Sequence, residues 1–318
     1  MHYIILDLEW NQSPHGKEKS NKLLPFEIIE IGAVKIDEKL NIVDTFSALV
    51  YPVVYKELHY ITKDLTGFTM KKLKKGKPFT EVATDFMEWC GDDYIFCTWG
   101  SLDITELQRN LTYYRLPLPK APVYYYDLQK IFNIIYENGD KSTRSLEYAA
   151  HFLNLSADEP FHRALDDAKY ATRIMQCMDM TIFRKYFSVD YYQSPLKRSQ
   201  EIHLVFDEYS KFVSKEFDTK NDALKDRVAS STICYKCGRR ARKKIRWFSD
   251  NSKLYYCVSS CPEHGLLKGK IRMKKSVNNK YFVVKTLKLT NEEGANKIKQ
   301  RQLDIREKRK LKDSNKSN

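Results

Sequence analysis

Near its start the chain places two acids two residues apart at the end of an apolar run, Tyr3-Ile4-Ile5-Leu6-Asp7-Leu8-Glu9. A short apolar run closed by acids reads as a buried strand. Strand residues alternate between faces, so Asp7 and Glu9 project to the same side. Two carboxylates held together out of water repel each other unless a cation lies between them. Alone, such a pair is more commonly just two polar residues finishing a strand, and its meaning depends on the rest of the chain.

Further strands are expected over residues 26–36, where β-branched residues dominate, and over 45–50, 94–98, 124–127 and 280–289. Helical spacing predicts helices over 79–90, 102–114, 145–153 and 164–178, with a polar loop over 11–22. Strands that give way to alternating helices and strands predict an α/β fold, with helices packed on a mostly parallel sheet. A chain of 318 residues also has room for a second domain. Residues 1–185 are read as the α/β domain and 186–230 as a helical connector bearing Phe206, Tyr209, Phe212 and Phe217. Residues 231–290 are read as a small cysteine-bearing basic module, and 291–318 as a basic tail, a frayed helix running into disorder. No run of 18 apolar residues suggests a membrane span, and the N-terminus lacks the features of a secretory signal, so the expected location is cytoplasmic.

Three more residues give the acid pair a context. Asp103 ends Thr98-Trp99-Gly100-Ser101-Leu102-Asp103, where a strand passes into a helix; an acid there also suits the helix dipole. His162 and Asp167 stand in His162-Arg163-Ala164-Leu165-Asp166-Asp167. The order D-x-E, a distant D, then H-x-A-x-x-D resembles the DEDDh 3′–5′ exonuclease family over residues 1–185. Glu27-Ile28-Ile29-Glu30, Asp64-Leu65-Thr66-Gly67-Phe68-Thr69, Trp99-Gly100 and Ser145-Leu146-Glu147 resemble its ERI- and KapD-type branch. Ser101 stands where relatives often carry an acid.

The resemblance implies an RNase H-like mixed sheet flanked by helices, and an enzyme that removes nucleotides from 3′ ends. It also implies two Mg²⁺ or Mn²⁺ ions roughly 4 Å apart, clamping the scissile phosphate. Hard cations favour oxygen ligands, which accounts for four acids in one site. By resemblance Asp7 bridges both ions, Glu9 and Asp167 serve the one near the nucleophile, and Asp103 supports the other. His162 is the implied general base, since an imidazole accepts a proton near neutral pH. Leu8 and the 64–69 loop, with Thr66 and Gly67, are implied to seat the terminal nucleotide. Asp166 is an alternative ligand, although the motif register points to Asp167.

Seven cysteines with no secretion signal argue against a disulfide framework. Cys90, Cys97 and Cys177 read as small core residues. Cys234-x₂-Cys237 and Cys257-x₃-Cys261 have the spacing of a structural Zn²⁺ site, expected as a zinc ribbon. Five candidates compete for four places. The four cysteines are favoured, with His264 as the alternative ligand.

Charge is divided along the chain. The net charge is +14, but residues 1–185 carry −3 and residues 186–318 carry +17, while residues 231–290 alone hold 16 cations against 2 acids. Cations interleaved with aromatics predict a polyanion-binding surface, with Arg239, Arg240 and Trp247 as expected nucleic-acid contacts. RNA is the favoured substrate, with DNA as the alternative. A scaffold that binds nucleic acid with a dead nuclease site is the reading from another class, and the complete set of five residues argues against it.

Overall fold

The computed structural model describes residues 1–137, 139, 143–156 and 161–314, and divides into two compact units, Met1–Asp190 and Tyr191–Asn318. The first unit carries β1 (His2–Gln12), β2 (Phe26–Ile36), β3 (Ile42–Leu49), α1 (Tyr60–Thr66), α2 (Met70–Leu73), α3 (Phe79–Cys90), β4 (Tyr94–Thr98) and α4 (Leu102–Tyr113). It continues with β5 (Tyr124–Asp127), α5 (Leu128–Tyr136), α6 (Leu146–Phe152), α7 (Ala164–Gln176), α8 (Met180–Phe183) and β6 (Ser188–Val189). The sheet order is β3-β2-β1-β4-β5-β6. The chain runs parallel at β1–β4 and β4–β5 and antiparallel elsewhere, so the sheet is mixed and not mostly parallel. The loop over residues 13–25 and the short turn over 37–41 join the antiparallel β1-β2-β3 meander, whereas α3 and α4 lie in the long crossovers that parallel pairing needs.

Alternation along β1 sorts its side chains between two cores. Tyr3 and Ile5 face a core with α5, α6 and α7, while Ile4, Leu6 and Leu8 face one with α3 and α4. Asp7 and Glu9 therefore continue the α7-facing row beyond the point where apolar packing ends. β2 is buried almost throughout, which requires helices on both of its faces.

Gly32, opposite Asp7 on β2, sets how near α7 comes. A β-carbon there would fall well inside contact distance of the carbonyl carbon of Ala164 and the nitrogen of Leu165. Only a residue without a side chain lets the first turn of α7 rest on the sheet. The expected 145–153 helix begins at Leu146, where the Ser145 hydroxyl caps it by accepting from the Tyr148 N–H at 3.0 Å. The expected 64–69 loop is partly helical, because α1 runs on to Thr66. Cys177, expected in the core, is exposed just beyond α7.

The second unit contains β7 (Ile202–Val205), β8 (Tyr209–Val213), α9 (Lys220–Lys225), β9 (Arg242–Asn251), β10 (Leu254–Cys261), β11 (Gly265–Lys275), β12 (Tyr281–Leu289) and α10 (Glu292–Ser314). Its sheet is antiparallel, in the order β7-β8-β12-β11-β10-β9. The expected helical connector is corrected here: residues 186–230 hold β6, β7 and β8 and only one short α-helix, α9. β8 is bonded to β12, from Val213↔Val284 to Tyr209↔Lys288, so long-range pairing decided the conformation of a segment whose spacing looked helical. The tail forms α10, whose Ala295 and Ile298 pack on Val258. The disorder expected at the extreme C-terminus falls on residues 315–318, outside the described residues. Among the described residues no helix is long and apolar enough to cross a membrane.

Replacing Gly32 with alanine should cost about 1–3 kcal/mol through overpacking against α7. Urea unfolding of Gly32→Ala beside wild type measures this, and equal midpoints would show that α7 is not seated on that glycine.

Candidate active site and metal cluster

β1 and β4 run parallel, and the site lies at their carboxyl ends, where open α/β sheets place ligands. A cleft of about 450 Å³ there is lined by Asp7, Leu8, Glu9, Asp103, His162 and Asp167, together with Trp99, Gln129 and Glu147. The structure thus brings together all five residues of the expected catalytic set. Glu9, His162 and Asp167 offer ligand atoms within 4.8 Å of one another. Asp7 and Glu9 arrive as neighbours on one face of β1, Asp103 in the first turn of α4, and Asp167 in the first turn of α7.

Glu30 fixes the approach of α7. It is buried, and its carboxylate accepts from Arg163 Nη2 at 2.7 Å, Arg163 Nε at 3.2 Å and the Ala164 N–H at 3.1 Å. Asp167 in turn accepts from the His162 N–H at 2.8 Å. His162 has φ +69°, a left-handed conformation that costs a non-glycine residue about 1–3 kcal/mol and persists where its surroundings impose it. The bond to Asp167 and the anchoring of Arg163 impose it here, and they keep the exposed imidazole beside the acids of the cleft.

The acids are held far from their ordinary protonation behaviour. Burial, then the charges of Asp103, Asp167, Glu9 and Glu30, raises the Asp7 carboxyl well above the usual range. Burial, with Asp167, Glu30 and Asp103, pushes Glu9 up to about 8 against the opposing Arg163. Burial takes Asp103 to about 7 although its own N–H and that of Leu8 donate to it, and Asp167 to about 7 although His162 and Arg163 do so. Such mutual repulsion in a cleft is the condition that a divalent cation relieves, and the donors are hard oxygens. The four carboxylates fit that role.

Of the expected nucleotide contacts, Leu8 lines the cleft, whereas the lining does not include Thr66 or Gly67. The Thr66 hydroxyl donates to the Thr62 carbonyl at 2.7 Å, and Gly67 ends α1 with φ +62°. Glu27, like Glu30, holds the fold together, accepting from the N–H groups of Val53, Val54 and Tyr55 at 2.7–2.8 Å. Gly32 and the anchoring role of Glu30 escape a reading of the sequence. A lone glycine inside a strand pattern does signal close backbone approach, and could have pointed to the first.

In the second unit the cysteine cluster differs from expectation. Cys234, Cys237, Cys261 and His264 offer ligand atoms within 4.8 Å of one another, and Cys257 is not among them. Cys257 and Cys261 both lie on β10, and four strand residues span about 13 Å, too far for two ligands of one ion. The turn after β10 instead brings back His264, so both arms have the same x₂ spacing. Cys237 and Cys261 sulfurs stand 3.6 Å apart, and Cys261 sulfur is 3.9 Å from His264 Nδ1. A tetrahedral ion with Zn–S bonds near 2.3 Å requires sulfur separations of about 3.8 Å. Burial raises the Cys261 thiol, but the N–H groups of His264 and Glu263 and the His264 and Cys237 side chains outweigh it and bring it to about 6. The donor set fits zinc. Burial pushes Cys257 up to about 12, as suits an inert core thiol.

Trp247, expected to stack on bases, is half-buried in the core of its unit and donates to the Ser230 carbonyl at 2.9 Å. Arg239 and Arg240 are exposed, and Arg239 pairs with Glu263 at 3.4 Å.

The Exonuclease family matches residues 4–175, and the chain belongs to that family. With Asp7, Glu9, Asp103, His162 and Asp167 in order, it is a 3′–5′ exonuclease of the DEDDh type. A probable 3′–5′ exonuclease KapD of Bacillus subtilis is 29% identical over 180 residues, covering 55% of this chain and 83% of that protein. A PolC-type DNA polymerase III of Streptococcus mutans is 31% identical over 121 residues, which is 38% of this chain but only 8% of the polymerase. The fold is shared with the nuclease domain of 3′hExo, a DEDDh family member bound to rAMP, at 23% identity and TM-score 0.50, covering 59% of this chain and 96% of that one.

A carboxyl whose pKa is raised on folding leaves the folded state holding more protons between about pH 4 and 8, so that stability is lost as pH rises through the folded value. Mn²⁺ should therefore raise the melting temperature more at pH 8 than at pH 5, and a gain independent of pH would contradict the site. Zinc content, measured by metal analysis, should remain at about one equivalent in Cys257→Ser and fall in Cys261→Ser; loss of zinc from Cys257→Ser as well would restore the four-cysteine set.

Proposed function

We propose that the chain trims RNA from the 3′ end by hydrolysis, with two divalent ions held by Asp7, Glu9, Asp103 and Asp167 and with His162 as general base. The carrying observation is the convergence of these four carboxylates and one exposed imidazole on a single cleft. Divalent ions bound there would supply Lewis acidity to the phosphate, the attacking water and the departing 3′ oxygen. The protein's own part is to hold and to move protons. The Asp167 carboxylate and the Glu30–Arg163 pair fix the loop that carries His162, and the imidazole at the cleft mouth takes the proton of the attacking water. Leu8 at the wall of the cleft offers apolar contact to the terminal nucleotide.

RNA is supported by the basic second unit, whose dense cations suit the recognition of a folded strand by shape and phosphate. Relatives of the same fold include the nuclease bound to rAMP and a 3′-exonuclease that recognises a histone mRNA stem-loop. The PolC-type relative favours DNA as the second reading. The second unit would take its zinc at Cys234, Cys237, Cys261 and His264, and would keep its loops in place through it.

Matched 5′-labelled RNA and DNA strands incubated with Mg²⁺ or Mn²⁺ should shorten from the 3′ end, RNA the faster. Asp7→Ala should lose several kcal/mol of transition-state stabilisation, about 10³-fold in rate. A variant as active as wild type would overturn the mechanism, and faster cutting of DNA would reverse the substrate.

A further inference from the structure

The second unit has a hollow of about 580 Å³ that the nuclease chemistry does not use. Its walls come from the segment after α9, which carries Arg227, Ser231 and Thr232, and from the approach to β9 and its start, with Arg240, Arg242 and Lys243. All four cations are exposed, and among the described residues none forms an ion pair with a carboxylate. The neighbouring acid is already engaged: Asp226 accepts from Arg198 Nη2 at 2.6 Å and from the Val228 and Ala229 N–H groups. Four like charges around one hollow repel each other, so an anion entering it is bound by all of them.

Two further features make this a built site. Thr232 and Ala241 are clasped, the Ala241 N–H to the Thr232 carbonyl at 2.8 Å and the Thr232 hydroxyl to the Ala241 carbonyl at 2.9 Å. The clasp closes the base of the loop that carries Cys234 and Cys237, so the knuckle that would hold zinc also fixes Arg240 and Arg242 opposite residues 231–232. Behind the wall lies Lys285, 5% exposed. Among the described residues its Nζ donates to neutral acceptors only, the carbonyls of Val228 at 2.8 Å and Ser231 at 3.0 Å and the Ser231 hydroxyl at 3.0 Å. Burial lowers this ammonium to about 8, outweighing the opposing pull of Cys257, Asp226 and Glu201.

We infer that this hollow is a phosphodiester-binding site that holds the backbone of the substrate strand, with Arg227, Arg240, Arg242 and Lys243 as its cations and Lys285 as charge behind them. The inference rests on the nuclease reading for the identity of the strand. Arginine forks match phosphate oxygens in pairs, and backbone contacts of this kind carry no sequence information, so the site would grip strands of any sequence.

The test uses the full chain carrying Asp7→Ala, with no added divalent ion, and a fluorescein-labelled oligouridylate of about 30 nucleotides. Affinity is read by anisotropy from about 50 to 300 mM KCl. Removing Arg240, Arg242 and Lys243 together by alanine should weaken binding about 10- to 100-fold near 0.1 M salt and lower the slope of log K against log salt by about 2, at roughly 0.7 per phosphate contact on a single strand. Lys236, Lys244 and Lys253 are exposed, do not line the hollow, and replaced together by alanine remove the same charge. That control should change affinity by less than about threefold. Equal losses in the two triple variants would show that bulk charge and not the hollow binds the strand, and an unchanged slope in the first would overturn the inference outright. Zinc content checks the fold of each variant, and the single changes Arg227→Gln and Arg242→Gln keep the comparison decisive if the triple variant loses its metal. Because no cutting is required, absence of nuclease activity in the wild type would strike the functional reading while the affinities still decide the hollow.

Discussion

The repulsion among Asp7, Glu9, Asp103 and Asp167 is what the rest of the first unit is organised to sustain. Four carboxylates in one cleft, each pushed towards the neutral form by burial and by neighbouring acids, raise the energy of the metal-free fold. That cost is tolerable because two apolar cores, one on each face of the sheet, hold β1 from both sides. It is useful because a divalent cation entering the cleft gains what the acids lose by standing together.

Rigid placement depends on contacts that are not themselves acidic ligands. Gly32 admits the first turn of α7 to the sheet, and Glu30 draws Arg163 and the Ala164 N–H onto β2. The strained backbone of His162 is the visible consequence, since the loop must turn sharply to enter α7 while offering its N–H to Asp167. A small displacement of α7 would separate Asp167 from Glu9, and catalysis by positioned groups is sensitive to shifts of about 1 Å.

The second unit applies a different principle. Its antiparallel sheet leaves most of its cations at the surface, and Cys234, Cys237, Cys261 and His264 offer ligand atoms within 4.8 Å of one another. Where the first unit gathers four acids in one cleft, the second sets four exposed cations around a hollow.

Much of the first unit was legible in the amino-acid order because local rules and the resemblance agreed. β2, β4, β5 and α3 have the bounds that alternation and helical spacing predict, and the five site residues stand in family order. Where the order of residues failed, long-range geometry had decided. The strands β7 and β8 exist because β12, far along the chain, offers hydrogen bonds to β8, a partnership that spacing cannot reveal. Cys257 looked like a zinc ligand because cysteines were counted in pairs, but an extended β10 carries it about 13 Å from Cys261 and the following turn supplies His264 instead. Composition showed that residues 231–290 are basic; only the tertiary fold selected which of those cations face one hollow, and turned Trp247 inward to the core. Sequence determines which groups are present and how neighbours alternate, whereas the distances on which charge and coordination depend are set by chain segments that meet only on folding.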